Sequence, residues 1–134
     1  MIYGIGTDIV EVSRIERECR REAEGGSGED FLRRVFTSSE ISYCEGKRRR
    51  FESYAARFAA KEAFLKALGT GGRDGISWLD MEVVVDGRGR PELVLRGRAR
   101  ALLEEYGLTG VFVSLSHSHE LATAVAVLEG RGEV

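Results

Sequence analysis

Two acidic residues stand in apolar surroundings where their carboxylates could act together. Asp8 is the single acid in the β-prone run MIYGIGTDIV, and Glu62 lies in RFAAKEAFLKAL, a stretch without Pro or Gly that favours a helix. Proteins typically hold Mg²⁺ with one or two carboxylates together with the phosphates of a substrate. The two acids are therefore candidate Mg²⁺ ligands, although an acid at a strand end is more commonly a turn residue.

Three cations surround Glu62 on the same predicted helix and could meet phosphates: Arg57, Lys61 and Lys66. Lys66 follows Glu62 by four residues, so these two could instead form only a surface pair that modestly stabilises the helix. Lys61 falls inside the apolar arc of the helix, where a charge is costly unless it is paired or meets a ligand. Together with Asp8, these residues indicate a Mg²⁺-dependent enzyme that acts on a pyrophosphate or a nucleotide.

Two further polar segments offer groups that bind anions. The segment Ser114–His117 supplies two hydroxyls and an imidazole at the end of a predicted strand. The run Lys47–Arg50 places four cations side by side, and because they repel one another the run needs either solvent or an anion. A phosphate contact and a solvated loop both remain open for this run, whereas His119 is interpreted as a turn residue.

The elements that must position these residues are those of an α+β domain. The patterns predict a strand over 1–10, a capping box that starts a helix at Ser13, two short helices, and a central helix that ends at Gly69. They continue with a hairpin over 81–95, a helix over 97–106, and strands over 111–116 and 121–128. Helices and strands mix without strict alternation, which favours one small mixed domain over 1–134, with an antiparallel sheet and a central helix.

Composition bounds the classes of function. The chain has 134 residues, is 43% hydrophobic and 31% charged, and carries a net charge of −2, as a soluble globular domain does. This charge gives no general argument for binding nucleic acid or membranes. No signal-peptide pattern opens the chain, and no apolar run is long enough to span a bilayer. We expect a cytoplasmic protein in which Cys19 and Cys44 are reduced.

Arginines crowd the first predicted helix, at Arg14, Arg17, Arg20 and Arg21. A solvated charged face explains them, and so does a surface that docks an acidic partner.

The motifs taken together resemble a known family. They are GIGTDIVE over Gly4–Glu11, the pair Phe36–Thr37, RFAAKEA over Arg57–Ala63, KALGTG over Lys66–Gly71, and SLSHS over Ser114–Ser118. In their order and spacing they are similar to those of the holo-[acyl-carrier-protein] synthases, the small bacterial type of 4′-phosphopantetheinyl transferase. Each motif alone is weak, whereas the combination is specific and covers nearly the whole chain.

The resemblance implies an α+β fold that assembles as a homotrimer with active sites between subunits. It also implies a reaction. The phosphopantetheine arm of coenzyme A is transferred to a serine of apo-acyl carrier protein with Mg²⁺, adenosine 3′,5′-bisphosphate leaves, and the product serves fatty acid biosynthesis.

The resemblance also assigns roles to residues by motif. Asp8 and Glu62 correspond to the Mg²⁺ ligands, and Lys66 corresponds to the lysine that contacts the pyrophosphate. Glu62, or a water held by it or by the metal, is the candidate base. The predicted coenzyme A contacts are Arg57, Lys61, Lys66, Gly69, Thr70, Gly71, Ser116 and His117. The predicted contacts with the acidic carrier protein are Arg14, Arg17 and Arg21.

Two other functions remain open at this point. One is a Mg²⁺-dependent pyrophosphatase that cleaves coenzyme A or nucleotides and needs no carrier. The other is a non-catalytic module that binds acidic proteins through the arginine-rich helix, and it would not require Asp8, Glu62 or Lys66.

Overall fold

The computed structural model describes residues 1–25, 29–70 and 73–131, and the side chains of 21–25 and 29 lie outside that description. The helices and strands follow in this order: β1 Ile2–Glu11, α1 Val12–Gly25, α2 Glu29–Val35, α3 Ser38–Glu45, α4 Arg50–Leu68, a 3₁₀ turn Trp78–Asp80, β2 Met81–Val85, β3 Pro91–Leu95, α5 Gly97–Glu105, β4 Leu108–His117 and β5 Leu121–Gly130. The predicted α+β class with an antiparallel sheet and a central helix is confirmed.

The main sheet has three antiparallel strands in the order β1-β5-β4, and β2 and β3 form a separate two-stranded hairpin. Asp8 of β1 pairs with Ala124 of β5, and His117 of β4 pairs with Ala122. Asp8 and His117 therefore lie on the two outer strands, with β5 between them.

The central helix α4 lies against one face of this sheet at very short range. The β5 side chains on that face are Ala122, Ala124, Ala126 and Leu128, all buried. On β1 the corresponding positions are glycines: a Cβ on Gly4 or Gly6 would collide with helix carbonyl oxygens. Because successive strand residues alternate between faces, Asp8 follows these glycines on the side that faces α4.

The ends of α4 differ in how they are capped. Gly69 follows the last turn in the left-handed conformation, with φ of 79°, and its N–H bonds the carbonyl of Leu65. This confirms the predicted C-cap. At the other end Arg49 gives no side-chain cap, and the first turn carries the acid Glu52.

The opposite face of the sheet is open and carries several large apolar side chains among polar ones. Its exposed side chains include Ile5 and Ile9 of β1, Phe112 of β4, and Leu121 and Val125 of β5. Separately, across the described ranges, no helix is long and apolar enough to cross a membrane.

Candidate active site

Asp8, Glu62 and Lys66 form a cluster where β1 faces α4. The ammonium Nζ of Lys66 lies 2.9 Å from Oδ1 of Asp8. The Asp8 side chain is only 12% exposed, whereas that of Lys66 is 55% exposed, so a largely buried carboxylate meets a cation that solvent and ligands can reach. Lys66 thus pairs with the acid on the strand, and the sequence alternative of a simple Glu62–Lys66 surface pair does not describe this arrangement.

Burial raises the pKa of Glu62, and the negative charge of Asp8 raises it further, while Lys66, Arg14 and Arg73 oppose the shift. The structure therefore brings the two acids close enough to repel each other. Such a pair attracts a cation, and Lys66 already places its ammonium on one of them.

The donor set fits a magnesium ion that shares its shell with a substrate. Among the residues that the structure describes, no group of three or more His, Cys, Asp or Glu side chains could hold a metal by itself. Two carboxylates are nevertheless sufficient for Mg²⁺ when phosphates and waters complete the octahedron. Asp8 and Glu62 are the residues that would hold it.

Lys61 is a correction to the predicted coenzyme A contacts. Its side chain is 0% exposed, and Nζ lies 2.7 Å from Oε1 of Glu40. The ammonium also donates to the carbonyl oxygens of Val35 at 2.6 Å and Trp78 at 3.3 Å. Burial lowers the pKa of Lys61, and the Glu40 carboxylate opposes that effect. With three acceptors inside the protein, this cation is not available to a phosphate of the substrate.

Glu40 connects Lys61 to the rest of the fold. Its two oxygens accept from the N–H groups of Thr37 and Val83, the first being half of the capping box at the start of α3. The Thr37 hydroxyl bonds Glu82, which also accepts from Arg96 at 2.8 Å. Lys61 is thus part of a structural network that joins α3, α4 and the β2–β3 hairpin.

Arg57 is buried one and a half turns before Glu62 on α4. Its guanidinium carbon lies 4.1 Å from the centre of the Tyr43 ring, a cation–π contact. Its Nε is buried and has no hydrogen-bond partner among the described residues. A buried donor without an acceptor is rare in native proteins, and an anionic ligand would satisfy it.

Ser116 and His117 point to opposite faces of β4, as neighbours on a strand must. Ser116 lies on the open face, and His117 lies on the face of α4, with Nδ1 2.9 Å from Oε1 of Glu52. One molecule of this chain therefore cannot direct both residues at the same ligand atom. Glu52 was not among the residues predicted from the sequence, because the contact joins positions 65 residues apart.

The basic run borders a cavity of about 860 Å³. Lys47–Arg50, Glu52 and His119 are among its lining residues. Ten residues separate Glu52 from Glu62, which is about 15 Å along a helix. The cavity is therefore far from the Asp8–Glu62–Lys66 cluster within one chain.

Three predicted positions belong to the loop after α4. Gly69 is exposed, Thr70 is half-buried, and Gly71 lies outside the described residues.

Among the predicted carrier contacts, Arg14 and Arg17 are exposed on α1, while the side chain of Arg21 lies outside the description. Arg14 also lies 5.4 Å from the centre of the Phe58 ring. Arg14 and Phe58 line a second cavity of about 510 Å³, together with the exposed Arg73.

Comparisons with known proteins match this chain to one family. The model of the 4′-phosphopantetheinyl transferase superfamily matches residues 4–126. The holo-[acyl-carrier-protein] synthase of Geobacter sp. (strain M21) is 55% identical over 130 residues, which cover 96% of this chain and 99% of that protein. The enzyme of Geotalea daltonii is 50% identical over 129 residues, with coverage of 96% and 99%.

Solved structures similar to this chain belong to the same family. A holo-(acyl-carrier-protein) synthase from Bacillus anthracis in complex with CoA (3′,5′-ADP) is 39% identical, with a TM-score of 0.77 and coverage of 98% of this chain and 99% of that chain. The enzyme of Helicobacter pylori in complex with coenzyme A is 32% identical, with a TM-score of 0.79 and coverage of 93% and 99%. The chain described here belongs to the 4′-phosphopantetheinyl transferase superfamily and, within it, to the holo-[acyl-carrier-protein] synthases.

Proposed function

We propose that this chain transfers 4′-phosphopantetheine from coenzyme A to a serine of an apo-acyl carrier protein in a Mg²⁺-dependent reaction. The observation that carries the proposal is the cluster of Asp8, Glu62 and Lys66, two mutually repelling carboxylates with an exposed cation 2.9 Å from one of them. Phosphoryl transfer requires mainly alignment and charge neutralisation, which such a cluster supplies. The family membership supports the same reaction.

Each residue of the cluster has a separate task in the proposal. Asp8 and Glu62 would hold Mg²⁺, and the ion when bound neutralises charge on the pyrophosphate. Lys66 then exchanges its contact with Asp8 for a contact with a phosphate oxygen. The serine oxygen forms a bond to the phosphorus of the pantetheine phosphate, and the bond from that phosphorus to adenosine 3′,5′-bisphosphate breaks. The serine proton passes to Glu62 or to a water that it orients.

The acidic carrier protein would dock on α1. Arg14 and Arg17 are exposed there, and Arg21 belongs to the same predicted set. Arg14 also borders the 510 Å³ cavity and acts electrostatically on Glu62, so a carrier that contacts it would present its serine near the cluster. Charge complementarity of this kind accelerates encounter and weakens with salt.

Coenzyme A would extend from the cluster over Gly69, Thr70 and Gly71. The buried donor of Arg57 and the imidazole of His117 are the proposed contacts at a distance from the metal. Glu52 and Glu62 lie about 15 Å apart along α4. This separation supports sites shared between subunits, in which one subunit supplies Asp8, Glu62 and Lys66 and its neighbour supplies the run Lys47–Arg50.

The open face of the sheet supports the proposed homotrimer. Ile5, Ile9 and Phe112 are large apolar side chains that remain exposed in a single chain. Large exposed apolar side chains grouped on one face often mark a contact with another protein. We place the enzyme in the cytoplasm, in fatty acid biosynthesis, without a nucleic acid or membrane partner.

A mass spectrum tests the function directly. Candidate apo-carriers are incubated with the protein, coenzyme A and Mg²⁺, and a mass gain equal to phosphopantetheine is expected. Asp8→Asn and Glu62→Gln should abolish the gain, whereas Glu92→Gln, an exposed acid on β3, should not change it. No gain with any carrier would refute the transferase. Release of adenosine 3′,5′-bisphosphate from coenzyme A and Mg²⁺ without an acceptor would favour the pyrophosphatase instead.

A further inference from the structure

Glu52 is an acid in the first turn of α4 whose residue surface is only 5% exposed. The N-terminus of a helix favours a negative charge, which accounts for an acid at this position. It does not account for the burial, because a carboxylate removed from water is costly unless it is paired. The groups that contact the Glu52 carboxylate should therefore explain why it is buried.

The partner at hydrogen-bond distance is His117. Its Nδ1 lies 2.9 Å from Oε1 of Glu52, whereas the other oxygen has Arg49 Nε at 3.7 Å and His119 Nδ1 at 3.9 Å. The His117 side chain remains 45% exposed, so the imidazole has one nitrogen against a buried acceptor and a surface open to solvent. With Nδ1 occupied, Nε2 is the nitrogen left for a ligand.

We propose that Glu52 is a positioning residue for His117. It accepts a hydrogen bond from Nδ1–H and fixes the plane of the ring, so that the ring, when protonated on both nitrogens, directs Nε2–H at a phosphate oxygen of coenzyme A. The inference rests on the proposed function for the identity of the ligand. In metal sites a carboxylate on one ring nitrogen orients the ring in the same way. There the second nitrogen gives a lone pair to the metal, whereas here it would donate its N–H to the phosphate.

The surroundings of Glu52 agree with a bound anion. The carboxylate lines the 860 Å³ cavity beside the four cations Lys47–Arg50, and only Arg49 among them lies within ion-pair distance of it. Two sources of phosphate are compatible with this position. One is the 3′-phosphate of coenzyme A, and the other is the pyrophosphate of a molecule bound mainly by a neighbouring subunit.

A purely structural role for Glu52 would also join the start of α4 to the end of β4, so the test must separate the two roles. Steady-state kinetics compare Glu52→Ala, Glu52→Gln and His117→Ala with Glu120→Gln, an exposed acid on the same cavity wall. Glu52→Ala should raise KM for coenzyme A about tenfold with kcat within about twofold, since the loss concerns binding of the substrate. Glu52→Gln should recover most of the affinity, because its amide oxygen still accepts from Nδ1–H.

Combining Glu52→Ala with His117→Ala should raise KM no further than His117→Ala alone. An unchanged KM in Glu52→Ala, or effects of the two substitutions that multiply, would overturn the inference. Repeating the measurement with 3′-dephospho-coenzyme A separates the two phosphates: the penalty of Glu52→Ala disappears if the 3′-phosphate is the ligand and persists if it is the pyrophosphate.

A second readout does not depend on catalysis or on a stable Glu52→Ala variant. Nitrogen-15 spectra of the substrate-free wild-type protein at pH 8 report the tautomer of each histidine. We expect His117 to carry its proton on Nδ1, and a proton on Nε2 alone would overturn the inference. If the spectra show a proton on Nδ1 but the protein modifies no carrier, the proposed function fails while the positioning of His117 stands.

Discussion

Replacing Lys61 with Met removes the cation of a fully buried ion pair while keeping a side chain of similar length. The Glu40 carboxylate would remain buried, with Oε1 still bonded by Thr37 N–H and Oε2 by Val83 N–H, but with no positive charge beside it. Breaking a buried pair from one side costs about 3–5 kcal/mol. The Val35 carbonyl, which accepts at 2.6 Å, would lose its ammonium partner as well.

The matched control is Lys66→Met, on the same helix. Lys66 is half-exposed and pairs with Asp8 near the surface, so its removal should change the free energy of unfolding by about 1 kcal/mol or less. In a protein of this size a loss of 3–5 kcal/mol lowers Tm by about 10–20 °C. Urea unfolding followed by circular dichroism, at one fixed protein concentration, measures both variants.

The two variants should also separate in activity. At a temperature where Lys61→Met is still folded, its KM for coenzyme A should stay near the wild-type value, because the ammonium reaches no ligand. Lys66→Met should lose activity with little loss of stability. A Lys61→Met variant that is as stable as wild type but binds coenzyme A much more weakly would refute the structural assignment and restore Lys61 to the predicted contacts.

Three further outcomes are expected. Although burial pushes the pKa of Glu82 upward, hydrogen bonds from Thr37 and Arg96 hold it below its ordinary value. The contribution of Glu82 to stability is therefore present above pH 4.5 and is lost as pH falls through the lowered pKa. In an acid titration the difference in unfolding free energy between wild type and Glu82→Gln should shrink below that pH, and a constant difference would contradict the prediction. Gly6→Ala should destabilise the fold by about 1–3 kcal/mol or more and impair Mg²⁺-dependent activity, because its Cβ collides with α4, while Gly87→Ala, with open space around it, should do neither in melting and activity assays. Arg14→Glu should raise KM for the acidic carrier most at low salt, and stopped-flow association rates that do not converge with wild type as salt increases would contradict an electrostatic role.

The sequence predicted those features that local patterns determine. The C-cap predicted at Gly69 has a local hydrogen-bond signature and is present. A capping box of the same local kind starts α3 at Thr37 and Glu40, whereas α1 already begins at Val12, so Ser13 lies within that helix. The elements were mostly placed within a few residues, although β4 begins at Leu108, three residues before the prediction. Fraying ends and tertiary contacts decide such boundaries.

Contacts between distant segments could not be predicted in the same way. The helical pattern showed that Lys61 needed a partner, but it could not show that Glu40, 21 residues earlier, would supply it. The pairing of Lys66 with Asp8 and that of His117 with Glu52 likewise depend on how α4 lies on the sheet. The alternation of strand side chains does separate Ser116 from His117, so that part of the arrangement was readable from the sequence.

The glycines of β1 have a consequence for altering the metal preference of such a site. With Gly4 and Gly6 against helix carbonyls, main chain meets main chain at these two positions, and neither residue places a side chain between β1 and α4, the elements that carry the two proposed ligands. At these two positions there is therefore no side chain to shorten, and adding one can only push β1 away from α4, so they offer no means of drawing Asp8 and Glu62 closer together. A larger ion such as Ca²⁺, which needs longer bonds and more oxygen ligands, would have to be accommodated by new ligands from outside this pair.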